Sequence, residues 1–143
     1  MCLAAGGFLA GCAGNADRPA AAREWRANAN VALRQLAQDV STTAAGGDTL
    51  GDARRALRDE SRLYALVFAY TDLGGCGAMM RNVGAPAALE TRLVRPCVPL
   101  ARAAAAFTAA TEGSNPRALL RAGRDADLAL PLLVQALADV RKA

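Results

Sequence analysis

Asp72-Leu73-Gly74-Gly75-Cys76-Gly77 is the stretch on which the fold turns. Glycines at 74, 75 and 77 could end a helix, because glycine favours the left-handed cap and weakens the helical interior. The flanking apolar residues argue for continuation. Leu63, Leu66, Tyr70, Leu73, Cys76, Met80 and Val83 step by three or four straight through the glycines, as one buried helical face requires. The spacing therefore predicts a single helix running to about Val83.

Working outward, the same periodicity recurs on both sides. Asp17 and Pro19 mark a favourable start for a first helix, whose stripe is Trp25, Ala29, Leu33, Leu36 and Val40 and which Gly46-Gly47 ends. Thr49-Leu50-Gly51-Asp52 has the form of a capping box, with Asp in place of Glu, and opens the second helix. Gly84-Ala85-Pro86 turns the chain into a third, with stripe Leu89, Leu93, Cys97, Leu100, Ala104 and Phe107. Asn115-Pro116 opens the fourth, whose seam is Leu119, Gly123, Ala126, Leu130, Leu133, Leu137 and Val140. Four helices of about 27–31 residues would each span ~40–47 Å. Matched lengths and short connections predict an all-α, up-down-up-down four-helix bundle. Pro96, Pro99 and Pro131, with the glycines, predict kinks in its second, third and fourth helices.

Composition agrees with this class and excludes others. A chain of 143 residues fits one domain, and its 53% apolar content argues against disorder. Aromatics are only 4% and β-branched residues are sparse, so sheets are disfavoured. Every basic residue except Lys142 is arginine, and the net charge of +4 comes without the basic cluster and motif of a nucleic-acid binder. The absence of histidine excludes Ser-His-Asp and Cys-His nucleophiles, imidazole metal or haem sites, and the Glu-x-x-His pairs of di-iron bundles. No cofactor is implied.

At the N-terminus, Leu9-Ala10-Gly11-Cys12 follows a short apolar run and precedes the small, polar Ala13-Gly14-Asn15-Ala16-Asp17. The run resembles the lipobox of bacterial lipoproteins. That resemblance implies a signal peptide over 1–11, diacylglycerol on the Cys12 thiol, cleavage before Cys12, and a tether over 12–18 ahead of a helical domain over 19–143. The resemblance covers only this segment. No Lys or Arg precedes Cys12, so the expectation is that the true start lies upstream of Met1 and carries the missing cationic region. The mature chain lacks an apolar span long enough to cross a bilayer, and two acyl chains would anchor it stably.

With Cys2 removed and Cys12 acylated, Cys76 and Cys97 remain, and exported proteins usually pair such thiols. Cys76 lies nine residues before Ala85 and Cys97 twelve after it, which puts them within about one turn of the same level in an antiparallel hairpin. A Cys76–Cys97 disulfide is expected. A redox pair would favour Cys-x-x-Cys at a helix start, and a structural zinc site would want four ligands.

The remaining features read as structural. Arg54, Arg55, Arg58 and Arg62 form a solvated face that Asp59 and Glu60 partly pair, though an anionic-polymer or phospholipid site is a competing reading. Tyr64, Phe68 and Tyr70 read as core. Met79-Met80 without histidine is a poor copper site, and Asp125 and Asp127 point to different sides of a helix. The short tether should hold the start of the first helix, the 84–86 turn and the C-terminal end towards the membrane. Arg18, Arg23, Arg26, Arg81, Arg92, Arg141 and Lys142 gather there against Asp17, Glu24, Glu90 and Asp139, an expected contact for anionic headgroups.

The sequence thus implies an exported, extracytoplasmic, non-enzymatic helical module, lipid-anchored to a membrane, that scaffolds or binds a protein partner at the cell envelope. The alternative is a small-molecule-binding bundle with a pocket near the Pro96–Pro99 kink.

Overall fold

The computed structural model describes residues 17–143, and its regular structure among them is entirely helical. The chain is all-α. Helix α1 (Asp17–Thr42) runs into a 3-10 turn (Thr43–Gly46), then come α2 (Leu50–Arg58), α3 (Glu60–Gly74), α4 (Cys76–Asn82), α5 (Ala87–Leu93), α6 (Cys97–Glu112), α7 (Pro116–Leu128) and α8 (Leu130–Lys142). Every residue of the α1 stripe is buried, from Trp25 to Val40. The caps sit where the side chains require them. Thr49 Oγ1 accepts from the Asp52 amide at 3.1 Å, and Asn115 Oδ1 from the Ala118 amide at 3.1 Å, with Pro116 in the first turn.

The second helix is broken where continuity was expected. At Asp59 the backbone turns extended, the carboxylate accepts from the Arg62 amide at 3.1 Å, and the amide still donates to the Arg55 carbonyl at 2.9 Å. Asp59 thus closes α2 and caps α3. Asp is stabler supplying a cap than sitting in a helical interior. Arg55 pairs with Asp52 instead, and Asp59 lies 3.7 Å from Arg62. At Gly75 the axis bends and α3 and α4 meet at 52°, although the Gly75 amide still donates to the Thr71 carbonyl at 3.1 Å. The apolar stripe nevertheless carries across both segments, with Leu66, Tyr70, Leu73, Cys76, Met80 and Val83 all buried. A methyl group on Gly74 would sit 3.2 Å from the Ala104 Cβ, so glycine lets α3 and α6 approach closely.

The expected kinks of the third and fourth helices are likewise full breaks, at 94–96 and at Ala129. Pro99 and Pro131 fall in the first turns of α6 and α8, where a missing N–H costs nothing within the helix.

In the core, α1 packs on α3 and α8, α6 packs on α3 and α7, and α2 lies against α7. Leucines fill the interior at 33, 36, 66, 73, 93, 100, 119 and 133, while alanines at 53, 56, 103, 110, 118, 122, 126 and 129 let the helices close up. The seam expected in the fourth helix is rephased by the break at Ala129. Leu130 is 37% exposed, and Ala118, Ala122, Ala129 and Ala136 take the interior positions beside Leu119, Ala126, Leu133 and Val140. Among the described residues no single helix is long and apolar enough to cross a membrane.

Candidate functional site

Cys12, the expected lipid-attachment residue, lies outside the described residues, and so does the side chain of Arg18. The other expected cysteine feature is present: Cys76 and Cys97 form a disulfide across Cα atoms 5.3 Å apart. It joins the first residue of α4 to the first residue of α6, with both cysteines buried. Pro96, Pro99 and Leu100 are buried around it.

The helix ends expected to face a membrane do meet. Arg26 donates through Nη2 to the Ala143 main-chain oxygen, α4 packs on α1, and α5 packs on α8. Arg23, Arg81, Arg92, Arg141 and Lys142 are exposed, whereas Arg26 is half-buried with an unpartnered Nε. Arg26 is therefore partly committed to holding the C-terminal end in place.

Two features escaped the sequence reading. The first is an apolar stripe on α3. Tyr64 is 67% exposed, Val67 43% and Phe68 56%, and the two rings touch edge to face at 4.7 Å. Of the three aromatic residues read as core, only Tyr70 is buried; it stacks on Phe107 at 4.4 Å. The stripe borders a groove between α3 and α6 lined by Val67, Thr71, Gly74, Ala104, Thr108 and Thr111. An all-round apolar helix reads as wholly buried, but here one side of α3 has no neighbour among the described residues. The signal was the i, i+3, i+4 spacing of 64, 67 and 68, which is itself a helical face.

The second is a polar cluster inside the α1–α3 interface. Asp39 is 7% exposed and Thr43, one turn later, 4%. Asp39 Oδ1 accepts from Gln35 Nε2 at 3.2 Å, while Oδ2 has no partner. Burial first, and then the Asp72 carboxyl beside it, push Asp39 up to about 6 against the opposing pull of Gln35. The Thr43 hydroxyl donates to the Val40 carbonyl at 2.6 Å. The Tyr70 hydroxyl lies beside Thr43 without a hydrogen bond of good geometry. Burial raises its pKa above the ordinary phenol range; Thr43 opposes this, while the charges of Asp127 and Asp125 add to it. Buried polar atoms without partners cost stability, so they mark places where packing alone does not explain the residue choice. Among the described residues no cluster of three or more Cys, Asp or Glu side chains is placed to hold a metal ion.

Comparison with protein-family models, with curated proteins and with solved structures finds no match to this chain.

Proposed function

We propose that the chain is an exported, lipid-anchored helical module that binds or scaffolds a protein partner at the cell envelope. The observation that carries the exported reading is the buried Cys76–Cys97 disulfide, since such bonds persist in oxidising compartments outside the cytosol. It joins the lipobox-like Leu9-Ala10-Gly11-Cys12, which supplies the address. The binding role is supported by Tyr64, Val67 and Phe68, because aromatic residues left exposed on a well-filled helical core favour interfaces. The helical segments read as four arms of an up-down-up-down bundle: α1, α2–α4, α5–α6 and α7–α8. Support comes from the ring of packing in which α1 touches α3 and α8 while α6 touches α3 and α7. In this reading the end carrying Arg23, Arg81, Arg92, Arg141 and Lys142 faces anionic headgroups.

Mass spectrometry of the protein from its native membrane tests the proposal. A mature N-terminus at Cys12 carrying diacylglycerol, together with a Cys76–Cys97 link, is the expected result. An unmodified Cys12 within an intact N-terminal segment would refute the anchor.

A further inference from the structure

We infer that the carboxyl groups of Asp39 and Asp72 form a proton-operated latch between α1 and α3. One proton held between them fastens the two helices, and its release to solvent lets α3 swing away from α1. Asp39 lies near the end of α1 and is 7% exposed. Its Oδ1 accepts from Gln35 Nε2, while Oδ2 is buried without a donor. Across the packed α1–α3 interface its neighbour is the half-buried Asp72 carboxyl.

Two ionised carboxylates can only accept, so they leave that buried oxygen unsatisfied and set like charges side by side. A proton on Asp39 Oδ2 supplies the missing donor: the O–H group bonds to Asp72, and one of the two charges disappears. Among the described residues no arginine or lysine forms an ion pair with Asp39. On α1 itself Arg34 is exposed. Of the elements packed on α1, the 3-10 turn is uncharged and α4 carries only the exposed Arg81. The charges of α8 are Asp139, Arg141 and Lys142 in its last turn, towards Arg26 at the other end of α1. On α7, Asp125 and Asp127 act on Tyr70, while Arg117, Arg121 and Arg124 are exposed. Burial and then Asp72 therefore raise Asp39 to about 6, which closes the latch in mild acid and opens it towards neutral pH. Helix α3 can respond by itself, being bounded by the break at Asp59 and the bend at Gly75, while the disulfide holds α4 to α6 beyond it. Tyr64, Val67 and Phe68 ride on α3, so the latch sets whether that exposed stripe is held in place.

Native-state hydrogen exchange on the full chain, corrected for intrinsic exchange rates, tests the latch. Between about pH 4.5 and about pH 7.5 the amides of α3 should lose protection on the order of tenfold. They should do so through an opening that small additions of urea barely change, because a local release exposes little surface. Asp72→Asn should abolish the fall, since its amide N–H donates to the Asp39 carboxylate without a titrating proton. Asp39→Asn should do the same from the other side. Protection of α3 that is level across the range, exchange with the full urea dependence of global unfolding, or a fall that survives in either asparagine variant would each overturn the inference.

Discussion

The interior around the Cys76–Cys97 link and the interior around Thr43 are built from the same chain path but filled differently. Near the disulfide, Leu73, Met80, Leu93 and Leu100 are fully buried together with both cysteines and Pro96. That region is apolar, and its irregular backbone at Gly75 and 94–96 is covalently fixed. Near Thr43, where α1 gives way to the 3-10 turn, there is no such clamp, yet the interior encloses Asp39, Thr43 and Tyr70, and two of their polar atoms have no partner. The contrast teaches that stability and chemistry are divided: one region holds the fold, while the other carries polar groups that cost stability. Natural chains keep such costs mainly where a binding function uses them.

The largest test of this division is removal of the disulfide. Replacing both cysteines, Cys76→Ser with Cys97→Ser, should lower unfolding stability by about 3 kcal/mol for a loop closed over 21 residues. Urea titration of the variant against the oxidised parent measures it. A loss well under 1 kcal/mol would mean that the apolar region holds itself without the link.

Next in size is Asp39. Its folded-state pKa of about 6 lies above the unfolded value of 3.8, so the folded protein binds the extra proton. The associated stability is fully present below pH 3.8 and is lost as pH rises through about 6. The wild type should therefore lose stability between these limits from this group. Asp39→Asn, which cannot ionise, should flatten that slope and be more stable at pH 7.5 by about 1–2 kcal/mol, allowing for solvent screening at the partly exposed Asp72. Parallel urea titrations across the range decide it, and an unchanged slope would remove Asp39 from the account.

A smaller effect is expected at Tyr70. Tyr70→Phe deletes an unpartnered hydroxyl and keeps the stack on Phe107, so stability should stay level or rise by up to about 1 kcal/mol. A loss above 1 kcal/mol in thermal unfolding would show that the hydroxyl is bonded in solution, through water or through Thr43.

How legible was each region beforehand? The apolar one is plain in the sequence. The stripe through Leu73, Cys76, Met80 and Val83 and the register of Cys76 with Cys97 follow from helical spacing alone, because a buried apolar face must repeat every three or four residues. The Thr49 and Asn115 caps were equally plain, since their oxygens satisfy local amides. The break at Asp59 was not, because the same carboxylate suits an ion pair with Arg55 or a cap, and only the path of the chain selects between them. The seam of the last helix was misjudged because a proline fixes a helix start as readily as a kink, and the restart after Ala129 moved Leu130 outward. The polar cluster was invisible because Asp39 comes from α1 while Tyr70 and Asp72 come from α3, and pairing across helices is not encoded in local spacing. Cys12 falls outside the described residues, so the address still rests on Leu9-Ala10-Gly11-Cys12.

The smallest expected effect on stability is the most informative about the outer face. Tyr64 and Phe68 touch each other but contribute little to the core, being 67% and 56% exposed. Tyr64→Ser with Phe68→Ser should therefore shift unfolding stability by no more than about 0.5 kcal/mol, as surface changes usually do. An interface residue differs from a core residue in this respect, because its apolar area is buried only when a partner arrives. Under the proposed function, crosslinking of the protein in the cells that make it should give a partner adduct that the double variant loses while its thermal midpoint stays put. If the variant instead unfolds several degrees lower with the adduct intact, the stripe belongs to the core of the fold, and the partner surface must be sought elsewhere.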